Sequence, residues 1–244
     1  MMKKTPFKIA LATTLLCSAT ATMADDQFYF SALAGYSEQI TGSSPYGNNI
    51  AKDDTFPSAF DAGDGAVYSI GMGYKFTPAI RFEARLATRE GSFTETQDGT
   101  GSRAGDNYVL DGKIETTTLT FEAFYDFHND TIFTPYVKAG VGVADNSYSA
   151  RLGGPGIDAL ADLGFINLDS SGYYSEYNED DSTEFSWNIG AGVAMDINER
   201  VALYAEYQYA DFGDVATTQD AFTDGFRIDG ATANEFLLGL TVTF

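Results

Sequence analysis

The charged residues best placed for chemistry stand in apolar surroundings. In AIRFEARLATRE, Arg81, Glu83, Arg85 and Arg89 share one parity, while Ile80, Phe82, Ala84 and Leu86 occupy the other. Lys75, Glu122, Asp126, Lys138, Asp196, Glu206 and Glu235 are set in the same way among aromatic and aliphatic neighbours. Acids and bases brought together can move protons or line an ion path. They can also neutralise one another in an enclosed space, where an unpaired charge is costly. Five bases against six acids are nearly balanced, which suits mutual neutralisation better than a one-signed selectivity ring. The expectation is a structural charge network of Arg81, Glu83, Arg85, Glu122, Lys138 and Glu206, with Glu122 paired to Arg81 and Arg85. A gated ion path through it is the functional alternative.

Other catalytic vocabulary is sparse. The chain has one histidine, His128 in FHNDT, and one cysteine, Cys17. No nucleophile elbow, phosphate loop or metal-ligand spacing occurs. The acid-rich stretches, such as YNEDDSTE, lack the regular carboxylate spacing of a calcium loop. The expectation is no catalytic residue, no metal site and no cofactor.

Alternate spacing belongs to strands, and period two recurs in eight segments: 27–38, 66–77, 79–90, 114–127, 133–146, 184–197, 200–212 and 233–244. One parity of each is aromatic, aliphatic or Ala, uncharged across its apolar run; the other is rich in Gly, Ser, Thr and charge. The gaps alternate between long and short. Short ones fall at Thr77-Pro78, HNDTI and INE; the long ones are rich in Gly, Asn, Asp and Ser. Consecutive antiparallel strands put all the short turns at one end and four large loops at the other, as in an outer-membrane barrel. Phe28, Phe30, Tyr74, Phe76, Phe82, Tyr125, Phe127 and Phe244 gather toward the short-turn end. Tyr36, Phe185, Trp187, Tyr207, Tyr209 and Phe236 gather toward the loop end. Two aromatic belts fit two membrane interfaces. A soluble barrel with its apolar face inward shows the same alternation. The long–short gaps, the paired belts and the Gly- and Ser-rich opposite parity weigh against it. The fold expected is all-β: an eight-stranded antiparallel up-and-down transmembrane barrel, its lumen filled by side chains.

MMKKTPFKIALATTLLCSATATMA has lysines in front, a short apolar run and small residues at its end, which reads as a cleaved signal peptide at 1–24, leaving a barrel domain at 25–244. Its apolar core is too short for a membrane-spanning helix, and Leu15 and Leu16 before Cys17 do not suit lipidation. Three of the 14 basic residues lie in that segment, so the remainder carries 11 against 35 acids, a net −24 (11 − 35). That sign excludes nucleic acid as a partner and allows divalent cations or a basic extracellular partner. From Asp145 to Glu184 there are nine acids and one arginine. Within this loop, Ile157, Leu160 and Ala161 lie at helical spacing, suited to a small lid over the mouth or to an adhesive patch.

The stretches FYFSALAGYSE, TPYVKAGVGVADN, ALYAEYQYADFG and LLGLTVTF, with the signal peptide, resemble the eight-stranded outer-membrane β-barrel proteins of Gram-negative bacteria. These are relatives of the transmembrane domain of outer membrane protein A, often grouped as porin-family proteins. The resemblance implies an integral outer-membrane protein, expected to be a monomer, in contact with outer-membrane lipid and lipopolysaccharide. It also implies that Gly239, Val242 and Phe244 belong to a C-terminal insertion signal read by the barrel-assembly machinery, with Leu237 where a polar residue is usual. Some small barrels of this membrane are enzymes, whose chemistry usually needs a histidine near the outer leaflet; His128 falls in a short turn, on the periplasmic side. The expected role is a structural envelope component or an adhesin-like surface-interaction protein acting through acidic loops. The alternative is a small porin-like channel or passive transporter.

Overall fold

The computed structural model describes residues 27–41, 61–98, 104–174, 180–216, 227–228 and 230–244; the expected signal peptide lies outside them. The strands are β1 (Phe28–Thr41), β2 (Asp61–Lys75), β3 (Ile80–Asp98), β4 (Asn107–Asp126) and β5 (Phe133–Gly153). They continue with β6 (Asp180–Asp196), β7 (Val201–Asp211), β8 (Val215–Ala216), β9 (Arg227–Ile228) and β10 (Ala231–Thr243), with one helix, α1 (Pro155–Asp162), after β5. The first seven strands and β10 pair antiparallel with their neighbours and close into a barrel; β8 and β9 form a separate two-stranded ribbon.

Closure is made by β1 against β10, with Phe30 opposite Val242 and Leu33 opposite Gly239. The Phe244 amide donates to the Phe28 carbonyl at 3.0 Å, and its ring stacks on Phe30 with centroids 4.9 Å apart. With no free edge, the strands of the wall satisfy their backbone polar groups against one another rather than against water, which a lipid environment demands.

Alternation decides the two faces. Phe236, Leu238, Leu240 and Val242 point out and are exposed, whereas Ala233, Glu235, Leu237, Thr241 and Thr243 point in and are buried. Rings pair along the outer wall: Phe28–Tyr74, Phe82–Phe121 and Tyr125–Phe127 toward the short turns, Trp187–Tyr209 and Tyr207–Phe236 toward the loops. Going up six of the eight strands, the outer apolar run ends on an acid: Glu38, Asp64, Glu90, Glu115, Asp145 and Asp211; on β6 and β10 it ends on Thr183 and Asn234. These residues mark where the wall leaves hydrocarbon, because a lipid-facing charge is costly away from the interface.

Several strands exceed the eight segments read from periodicity. A tilted strand crosses a membrane in about 9–11 residues, yet β3, β4, β5 and β6 have 19, 20, 21 and 17. The surplus stands on the loop side. Above Asp145, β5 continues to Gly153, a climb of about 20 Å at the usual rise and tilt. Part of the acidic gap between Asp145 and Glu184 is therefore wall rather than loop. The barrel is high along β3–β6 and low along β7, β10 and β1.

Candidate functional site

The lumen is built in layers from inward positions on every strand. At the short-turn end, the Arg81 guanidinium lies 3.9 Å from the Phe124 ring centroid, with Tyr136 at 4.9 Å and Tyr204 at 5.1 Å. Its Nε donates to Asp126 at 3.0 Å and its Nη1 to the Tyr29 hydroxyl at 3.1 Å. β2 makes room for this layer: a Cβ on Gly73 would run into the Tyr29 ring, and Tyr29 is itself buried.

The middle layer joins five charges. Arg85 Nε donates to Glu83 at 2.9 Å, its Nη1 to Glu206 at 2.7 Å, and Nε also lies 3.4 Å from Glu122. Lys138 Nζ bridges Glu122 at 3.1 Å and Glu206 at 2.8 Å. Neutral donors add to these pairs: Ser31 on Glu83, Thr120 and Asn188 on Glu122, and the Tyr136 hydroxyl on Glu206, while Glu83 Oε2 is left without a partner among the described residues. Above it, Arg89 Nε donates to Glu235 at 2.6 Å and its Nη1 to Thr118 at 3.3 Å. Glu235 also accepts from Ser37 and Gln208.

All six residues expected in the charge network thus share one lumen with Arg89 and Glu235. Each of the eight is at most 4% exposed, four cations against four anions. Two expectations need correction. Arg81 pairs with Asp126 rather than Glu122, because it faces Phe124 across the β3–β4 ladder and the Glu122 oxygens already serve Arg85, Lys138, Thr120 and Asn188. Lys75 and Asp196 are not enclosed: they sit next to the short turns and are exposed at the periplasmic mouth. There they line an open cavity of about 220 Å³ with Arg81, Asp126, His128 and Arg200. Leu237, unusual for an insertion signal, packs inward with Leu33 and Val67 as a small apolar patch. Gly239 faces inward beside it, while Val242 and Phe244 lie on the outer face.

Toward the opposite end the described residues pack an apolar cluster. Ile114, Ala144 and Tyr148 from the wall meet Ile157 of α1, Tyr174, Phe212, Val215, Ala231 and Ala233, with Leu152, Leu160, Ile166 and Leu168 packed against them. The helical spacing read from the sequence forms α1, and α1 with the segment through Tyr174 lies as a lid on this apolar cluster. The lid is keyed to the charged layers. The Arg89 guanidinium lies 4.4 Å from the centroid of the Phe212 ring, and the Phe212 carbonyl accepts from Asn146 Nδ2 at 2.9 Å while Asn146 Oδ1 accepts from Thr116. Asn146, Phe212 and the aromatic shell of Arg81 escaped sequence reasoning. Their one signal is large or amide side chains on the inward parity.

Outside the membrane, the high wall carries its own ion pairs. Asp111 faces Thr94 and Arg151 across two ladders, accepting from Thr94 at 2.6 Å and Arg151 Nη2 at 2.9 Å. Partial burial opposes the charge on Asp111, but the bonds from Thr94 and Arg151 outweigh it and hold the carboxyl below the ordinary aspartate range. Lys113 separates Glu90 and Glu115, which oppose one another. Among the described residues no three His, Cys, Asp or Glu side chains converge as a metal site.

Apolar exterior, charge-filled lumen and long outer loops define an integral outer-membrane β-barrel protein. The sequence matches the outer membrane protein beta-barrel domain over residues 9–244, and the chain belongs to that family. Outer membrane protein PagN of Salmonella typhimurium is 27% identical over 187 residues, 72% of this chain and 71% of PagN. Among solved structures, Neisserial surface protein A is 16% identical, covering 89% of this chain and 97% of its own with a TM-score of 0.47. Outer membrane protein OprG of Pseudomonas aeruginosa is 14% identical, at 89% and 96% coverage with a TM-score of 0.47.

Proposed function

We propose that the protein is a non-conducting membrane anchor that holds an ordered lid and acidic loops outside the cell for contact with an extracellular partner. The carrying observation is the lumen: its charges are spent on one another, with an aromatic shell toward one end and the apolar cluster under the lid toward the other. A path for ions would have to part both and break the Arg85–Lys138 network between them. The same arrangement argues against an enzyme. The lumen acids that could serve as general bases are buried in ion pairs, and His128 is exposed in a short turn, at the end of the barrel opposite the acidic loops. In this reading the barrel acts as a monomer surrounded by outer-membrane lipid and lipopolysaccharide. Gly239, Val242 and Phe244 serve its insertion through the assembly machinery.

Planar-bilayer recording from the purified protein tests the proposal. Electrical silence at moderate voltage is expected. Steady, reproducible unitary openings would contradict it and favour a small porin-like channel.

A further inference from the structure

Among the described residues, the large apolar side chains that are exposed lie almost entirely on the lipid-facing wall or at the short turns. Leu163 and Phe165 are the two exceptions, 66% and 64% exposed. Both sit on the outer side of the lid, where no lipid covers them. They are held there by backbone hydrogen bonds rather than left on a loose loop. The Phe165 amide donates to the Leu160 carbonyl at 3.0 Å and the Gly164 amide to Ala161 at 2.9 Å, the paired bonds that end a helix on a left-handed residue. Gly164 supplies that residue, at φ 77°. Asp158 and Asp162, one turn apart on α1 and exposed, stand beside the pair. The cation in this region, Arg151, is engaged by Asp111 and stacks on Tyr173. The tip thus joins an exposed apolar pair to the acidic residues of the helix that leads into it. Ordered apolar residues with a polar rim are the usual anatomy of a binding hot spot.

We propose that the Leu163–Phe165 tip is the docking point for a cationic amphipathic protein or peptide, one that offers apolar side chains bordered by Lys or Arg. Charge selects this occupant. An anionic lipid surface would be repelled by the acids of α1, and a second copy would bring two acidic tips together. The inference rests on the anchor reading of the preceding section and narrows it to one place and one chemistry.

The test uses the full mature chain in phosphatidylcholine nanodiscs and a labelled synthetic peptide of leucine and lysine patterned as an amphipathic helix. Binding is followed by fluorescence anisotropy. The double variant Leu163→Ser/Phe165→Ser keeps the charge and should bind the peptide about ten-fold more weakly. A glutamate-for-lysine peptide should not bind the unaltered protein. Retained heat-modifiable gel mobility certifies that the variant is folded, and Phe165→Ser alone provides a milder version. Equal affinity of the variant and the unaltered protein would overturn the proposal, since charge alone would then explain binding. So would affinity no better than that of empty nanodiscs. Channel openings alongside intact discrimination would sink the anchor reading and spare the tip. Silence alongside equal affinities would do the reverse.

Discussion

Arg85 is buried among Glu83, Glu122 and Glu206, so its removal leaves buried acids with Lys138 as the remaining cation of that layer. Breaking such a network by deleting one partner typically costs about 3–5 kcal/mol. Arg85→Ala should lower stability by that order in urea unfolding from lipid vesicles. Arg151→Ala, on the half-exposed outer wall, should cost less than about 1 kcal/mol. Equal midpoints for the two would show that the lumen is hydrated. Asp111 makes a pH prediction. Its folded carboxyl titrates lower than the unfolded one, so its contribution is fully present above the unfolded value, about 3.9, and is lost as pH falls through the folded value. Hydrogen exchange at the top of β4 should accelerate over that acid window, and Asp111→Asn should flatten the change.

Elements were legible in the sequence wherever two different solvents met their faces. Within the membrane, lipid on one side and a charged lumen on the other force strict alternation, so Ile80–Glu90 and Phe236–Phe244 announce their orientation residue by residue. Above the acids at Glu90, Glu115 and Asp145 the outer face meets water, and the pattern lapses although the ladders continue through Asp98, Asn107 and Gly153. The lid was half legible. Ile157 and Leu160 advertise a helix, but its seat depends on Asn146 and Phe212, which are distant in sequence and joined through a backbone carbonyl. The partner of Arg81 was hidden for a related reason, since it depends on strand register and on which acids are already occupied. The lid predicts its own behaviour: Ile157→Ser should raise exchange across residues 152–174 and leave β1, β7 and β10 protected. Unchanged exchange in the lid would mean that α1 is not seated by its apolar face.

As a whole, the molecule separates its charges by function. Among the described residues, the buried cations Arg81, Arg85, Arg89 and Lys138 are paired with Asp126, Glu83, Glu122, Glu206 and Glu235 inside, and further acids such as Glu38, Asp64, Glu115, Asp145, Asp158 and Asp162 stand exposed toward the loop end. Family membership and localisation follow from this pattern, while the partner is decided by a few residues on the lid. The most direct test of the pattern is a nitroxide scan of positions 235–243 in bilayers, read with oxygen as the lipid-soluble relaxant and a nickel chelate as the aqueous one. The account predicts strict period two: positions 236, 238, 240 and 242 relaxed by oxygen, and positions 235, 237, 241 and 243 shielded from both reagents. Aqueous access at the second set, or the opposite phase, would contradict a sealed lumen inside a lipid-facing wall.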